Sequence, residues 1–460
     1  MSEFRSLWKL AFPIVISQVG FVFMGLVDTV LVGRMFEGDE ASTALSALSL
    51  GNTFFFGILI FGLGVIMSLD TWVSQAYGAD DLKGCSTGLV QGIWLALGLT
   101  PFLVAAMWLV EPLLRAVGYD SDMVDLMEMY LAPLRWGVLP ALLFKVYRCS
   151  LAAVNVTFPL VVAAVLANLA NYILVLWFIS GGLGIEALGV EGVAWSTSAC
   201  RVVLFLPLFA CVHFTPRFRH FPRPSLGPSI AVIRRLWVVG LPVGLQYFVE
   251  VGCFGGAAVL MGLLGTEALA AHQVALNIAA LFFMVPMGVG AAAAVRTGQA
   301  YGAEDWSGVG KAGWTAIATA AGFALISASV LILGREPIVR FYGLEGQVFL
   351  LAVDFLIIAA VFQLGDGIQA VTLGVLRGLG DTRTPFFLVL AAWGLTAAPI
   401  GIGGAFIWSN DPRWIWYGLA TGLVVVAILL TLRFALRLRS LPSDTTSPPS
   451  RDPGPWSSPG

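Results

Sequence analysis

The sequence predicts an all-α polytopic membrane protein: twelve transmembrane helices in two pseudo-symmetric six-helix lobes. Three observations carry that prediction. Of the 460 residues, 58% are hydrophobic and only 11% charged, too little charge to cover a surface in water, so the lipid bilayer is the solvent for most of the chain. Apolar stretches long enough to cross a bilayer recur from end to end. One segment also returns, QAYGADDLKG at 75–84 reappearing as QAYGAEDWSG at 299–308.

In chain order the stretches are 7–33, 44–69, 86–113, 123–148, 157–180 and 189–213, then 231–262, 267–293, 310–333, 346–376, 384–408 and 414–437. The first is too long for the apolar core of a signal peptide, contains Asp28 and lacks an A-x-A cleavage pattern, so it reads as a transmembrane helix. An even count puts both termini on one side. Lys and Arg assign that side to the cytoplasm: Arg5, Lys9, Lys83, Arg148, Arg217 and Arg377 belong to the richer set of ends, Arg34, Arg115, Arg335, Arg340 and Arg413 to the poorer. Residues 214–230 are basic and proline-rich, as a cytoplasmic linker would be. The expected organisation is an N-terminal six-helix lobe at 1–213, the linker, a C-terminal lobe at 231–438, and a disordered cytoplasmic tail at 439–460 rich in Pro, Ser and Asp.

The repeat runs well beyond the decapeptide. LAFPIVISQ (10–18) faces VGLPVGLQY (239–247), and GVAWST (192–197) faces GLATGL (418–423), always at a spacing of about 225 residues. A six-helix unit has been duplicated, and because six is even both copies keep one membrane orientation. Parallel repeats of this kind place a cavity between lobes that alternating access exposes to either side. Two joined halves need no second copy to form a path, so a monomer is expected.

Other classes are poorly supplied. A net charge of −2 leaves no basic footprint for nucleic acid. Five scattered cysteines, with Cys85 placed in a short loop, lack metal-ligand spacing and read as packing residues, and three dispersed histidines make no metal site. No cofactor is implied beyond a coupling ion. A membrane-embedded enzyme finds no HExxH and no paired His/Asp constellation to support it.

The informative residues are polar ones inside spans, because a central Asp costs about 2.5–3.5 kcal/mol on insertion scales. Asp28 lies late in the first helix with Gly25 on its face, leaving room for a small ion or water. Glu250 stands midway along the seventh helix, one turn after Gln246 and beyond a bend expected at Pro242. Asp366 sits between Gln363 and Gln369 at i±3 and is flanked by Gly365 and Gly367. Gln273 and Asn277 form an i, i+4 pair on the eighth helix, and Asn168 and Asn171 an adjacent-turn pair on the fifth. Two carboxylates with several amide oxygens suit Na⁺, for which Glu250 and Asp366 would be the ligands. A carboxylate in an apolar cavity can carry H⁺ instead. Asp70, Asp354 and Asp381 fall near predicted helix ends and read as structural or solvated. Phe282, Phe283, Met284 and Met287 around Pro286 read as core or lipid-facing.

GLVDTVLVG, AAHQVALN, the glutamate of LPVGLQYFVEVG and FQLGDGIQAVTLGVLRG together resemble the multidrug and toxic compound extrusion (MATE) family, especially its NorM-type branch. The resemblance covers nearly the whole chain up to about residue 438. It implies an antiporter in the inner membrane of a bacterium that exports small organic cations against entry of Na⁺ or H⁺. Carried over residue by residue, it gives Asp28, Glu250 and Asp366 the coupling role and Gln273 and Asn171 places in the cavity; helical spacing alone adds Asn277, Gln246 and Gln363 as lining residues. The second asparagine position of the fifth helix reads Ala167, and a threonine position of the sixth reads Trp195. Those departures favour the C-terminal cluster over an N-terminal one. A lipid-linked oligosaccharide flippase of the same superfamily is the rival, since Arg135 and Arg201 fall within N-terminal spans where a pyrophosphate would need them. A passive channel is the remaining alternative.

Overall fold

In lipid each backbone N–H and C=O must find its partner within the segment, which leaves the helix as the natural element for so apolar a chain. The computed structural model describes residues 2–35, 38–181 and 188–442, and for residues 26–47, 179, 180 and 190 within that range only the backbone. Among the described residues no strand occurs. The first half of the chain contains α1 (Glu3–Met35), α2 (Gly38–Ile66), α3 (Ser68–Gly78), α4 (Leu82–Trp108), α5 (Val110–Val117), α6 (Ser121–Trp136), α7 (Val138–Ala153), α8 (Phe158–Ser180) and α9 (Gly189–Phe214). The second contains α10 (Ile230–Leu264), α11 (Thr266–Gly302), α12 (Trp306–Phe341), α13 (Gly346–Gly378), α14 (Arg383–Ala392), α15 (Ala398–Ile402) and α16 (Arg413–Arg439).

Among the described residues, eleven helical stretches are long and apolar enough to cross a bilayer. The remaining expected span, 123–148, is present as α6 and α7, divided at Gly137, whose N–H turns back to the Leu134 carbonyl. Pro140 explains the break: it has no N–H to give, and its ring crowds the carbonyl of Trp136 four residues back. Pro399 acts in the same way on the stretch 383–408, where wide π turns at Trp393–Ala397 and Gly403–Trp408 interrupt the α-helical ladder. Cys85, expected in a loop, lies in the first turn of α4. The letters GCSTG at 84–88 spell a nucleophile-elbow pattern, but they fall inside that helix with no strand before them, so the geometry such a motif needs is missing.

Two compact units divide the chain. One gathers Met1–Val15, Asp70–Cys85 and Val249 onward, the other Ile16–Leu69 and Ser86–Phe248. Within each, helices from different halves of the chain cross at glycine. In the second unit a Cβ on Gly64 of α2 would stand 2.7 Å from the Cα of Gly244 on α10. In the first, the repeat-related Gly288 of α11 meets Val15 of α1, whose Cα would lie 3.1 Å from a Cβ there. Small residues at such points are what let membrane helices approach backbone to backbone.

The duplicated QAYG segment makes the most symmetrical of these crossings, inside the first unit. A Cβ on Gly78 would overlap the carbonyl oxygen of Gln299, and a Cβ on Gly302 would overlap that of Gln75. Between those contacts Ser74 packs on Gly298 so closely that its hydroxyl occupies the space a Cβ would take.

Candidate functional site

Glu250 on α10 is half-buried, and its Oε1 accepts a hydrogen bond of 2.6 Å from Nε2 of Gln369 on α13. Asp366, one turn before Gln369 on the same face, is buried and within electrostatic range of Glu250. Another turn back, buried Gln363 donates from Nε2 to the carbonyl of Ala279 on α11, 2.7 Å away. The expected stripe on α13 therefore exists, and its two amides tie α13 to α10 on one side and to α11 on the other. The glycines beside Asp366 have separate uses. A Cβ on Gly365 would lie 2.7 Å from the backbone nitrogen of Val424 on α16, and one on Gly367 3.3 Å from the Pro286 ring on α11.

Aromatic rings surround these polar groups. Phe254 stands one turn beyond Glu250 and Phe362 one turn before Asp366, and their rings meet at 6.0 Å. Trp393, at the start of the first π turn, lies 5.7 Å from Phe254 edge to face. Trp416 contacts both Phe362 and the ring of His272 at 5.6 Å. His272 is fully buried, and among the described residues neither ring nitrogen has a hydrogen-bond partner. Reading the sequence for polar residues passes over these rings. Their signal is positional, an aromatic residue four places from each acid on the same helix face.

Two acids, amide oxygens and ring faces make a cation-favouring environment. Hard oxygen ligands suit Na⁺ and a carboxylate can take H⁺, while ring faces attract organic cations. Among the described residues no three His, Cys, Asp or Glu side chains gather as a metal cluster, so a Na⁺ here would complete its shell from Glu250, Asp366 and neutral oxygens.

Gln273 and Asn277 keep their i, i+4 spacing on α11 but are exposed rather than joined to the hydrogen-bonded cluster. In the second unit Gln246 and Asn171 are buried, and Asn168 gives its amide to its own helix at Ala164 while crowding Gly20 of α1. The side chain of Asp28 lies outside the described residues, as does the tail from residue 443. The three acids read as structural all pair with arginine: Asp70 with Arg377, Asp354 with Arg413, Asp381 with Arg433. Arg135 is paired with Glu128 at 2.7 Å, and Arg201 lies 4.1 Å over the ring of Phe55.

A family model described as MatE matches residues 13–177 and again 242–402, once in each half. The chain belongs to the MatE family. The two matched stretches bracket the repeat seen in the sequence, and the second contains Glu250, Gln363, Asp366 and Gln369. Among MatE relatives, a probable multidrug resistance protein NorM of Pseudomonas putida is 33% identical over 447 residues, 96% of each chain. The multidrug resistance protein PmpM of Pseudomonas aeruginosa is 33% identical, covering 95% of this chain and 92% of its own. In fold, the chain matches the eukaryotic MATE transporter AtDTX14 with a TM-score of 0.86 at 19% identity, over 95% of this chain and 98% of that one.

Proposed function

We propose that this protein is a secondary active multidrug antiporter, exporting organic cations in exchange for Na⁺ or H⁺ by alternating access, with coupling at Glu250 and Asp366. The observation that carries the reading is the Glu250–Gln369 hydrogen bond with Asp366 one turn away, two acids held together in an apolar, aromatic-lined setting. Such a pair is costly to keep unless charge is delivered to it and removed from it. The ion entering from outside occupies the carboxylates and lowers the site's affinity for the organic cation, which leaves. The ion is then released inward and substrate binds again. One charge moving through 100 mV releases about 2.3 kcal/mol before any concentration gradient is counted.

Relatives named as multidrug resistance proteins support the same reading. Against the flippase alternative, one of its two candidate phosphate ligands, Arg135, is paired with Glu128. An inner-membrane location with both termini cytoplasmic, and function as a monomer, complete the proposal.

The test is efflux of a fluorescent organic cation from proteoliposomes under a Na⁺ gradient and, separately, a pH gradient. Wild type should respond to one of them and Asp366→Asn to neither. Gradient-driven efflux at the wild-type rate by Asp366→Asn removes Asp366 from the mechanism. No efflux by intact wild type under either gradient ends the antiporter reading.

A further inference from the structure

Helix α3 comes from the first half of the chain, yet it lies across the ends of α11 and α13 within one compact unit. The last carbonyls of a helix have no i+4 partner inside it, and at the end of α13 they are met by the N–H groups of Leu379, Gly380 and Asp381 and by two side chains of α3. Thr71 donates to the Arg377 carbonyl at 2.5 Å and Gln75 to that of Gly378 at 2.8 Å, and the Arg377 carbonyl also receives the Gly380 N–H at 2.9 Å. Neutral groups therefore cap the end, and capping needs no charge. A charge pair is nevertheless present: Oδ2 of Asp70 stands 3.3 Å from Nε of Arg377, and the two side chains are 6% and 5% exposed.

The repeat makes the pair harder to dismiss as inherited architecture. Arg377 in VLRG has a counterpart in Arg148 of VYRC, but the register that matches Ser74 with Gly298 puts Ala294 where Asp70 stands. The acid has been placed in one half only. Lys and Arg mark this end as cytoplasmic, and it is here that α3 and α11, one from each half, pass too closely for anything but glycine. A dry ion pair is balanced only while both partners stay together. Either charge left alone in the same place is strongly unfavourable, whereas water stabilises both once the place is opened.

We propose that Asp70 and Arg377 are a latch across the QAYG crossing that holds the cytoplasmic end of the path shut, released each time the protein loads substrate from inside. Both residues act by positioning; neither touches the transported cation. The proposal deepens the antiporter reading and rests on it for what the latch is for, but the latch itself can be tested without ion or drug.

In a background whose five cysteines are replaced by alanine, Ser74→Cys puts one thiol at the centre of the crossing. Its reaction with a water-soluble maleimide is followed in lipid nanodiscs without substrate. Asp70→Asn and Arg377→Gln should each speed labelling by about tenfold or more, because each strands a charge that only opening can hydrate. The double variant, having no charge to strand, should label more slowly than either single. Gly78→Ala and Gly302→Ala obstruct the crossing itself, so they should speed labelling and set the rate of a crossing forced open, and the double variant, which strands no charge, decides the matter if the single charge variants do not fold. Labelling at the parent rate in folded single or glycine variants, or a double variant as fast as the singles combined, overturns the latch. Absent antiport with fast labelling in the variants would remove the proposed function and leave the latch standing.

Discussion

Gly374 is where α13 and α11 run backbone against backbone. A Cβ at 374 would overlap the carbonyl oxygen of Gly290, and a Cβ at 290 would lie 2.8 Å from that of Ala370. Because the obstruction is backbone, no side chain can swing aside, and Gly374→Ala must push two helices apart. Overpacking of this kind costs about 1–3 kcal/mol, against a gain of up to about 1 kcal/mol from replacing glycine in a helix. Gly322→Ala on α12 provides the control, since a Cβ there meets nothing within 4 Å. The helix-propensity gain is common to both variants, so the difference between them isolates the crowding, about 1–3 kcal/mol. At about 2–4 °C per kcal/mol for a unit of some 200 residues, Gly374→Ala should melt about 2–12 °C below Gly322→Ala. The assay is thermal unfolding of the two purified variants in the same detergent. Asp366 lies eight residues, about 12 Å, along the same helix, so gradient-driven efflux should fall with Gly374→Ala and hold with Gly322→Ala. Coincident midpoints would refute the close packing on which the placement of Asp366 depends.

Gln91 on α4 holds the linker between the halves, donating to the Gly227 carbonyl at 2.9 Å and accepting from the Ser229 N–H at 2.7 Å. Two such bonds contribute about 1–3 kcal/mol, so Gln91→Leu should speed tryptic cleavage after Arg217 and Arg219 about fivefold or more, with an unchanged digestion pattern counting against the clamp. Arg413 bonds both Asp354 and Asp411 but is 39% exposed. Exposed pairs contribute about 0–1 kcal/mol, so Arg413→Ala should shift the melting midpoint by no more than about 4 °C and leave efflux intact. A large loss of either would mean that this cluster does more than tie a loop.

The spans and the duplication were legible because lipid imposes one simple requirement, a long apolar helix, and a repeat needs only comparison of the chain with itself. The break at Gly137 was less so: averaging apolarity over 123–148 hides what Pro140 does to one carbonyl. Glu250 and Asp366 announced themselves as charges in lipid. Their joint was not readable, because helical spacing shows that Gln369 shares a face with Asp366 but not which helix that face meets. The same limit left open what Gln273 and Asn277 meet; both are exposed on α11. Asp70 was read as structural or solvated from its place near a helix end; its partner Arg377 lies 307 positions away in sequence, a distance no local pattern spans.

Ser74 and Gly298 hold the same place in the two copies of the repeat, and they touch each other. A two-fold axis therefore passes between them, and whatever α3 presents to α11 there, α11 presents to α3. That is the isologous contact of a homodimer, written within a single polypeptide. A half-length chain with small residues at that place could have met a second copy of itself in the same way. Fusion freed the copies to differ across the axis, so that one now carries Asp70 where the other has Ala294. Two identical chains would have been obliged to build that acid twice; this one builds it once.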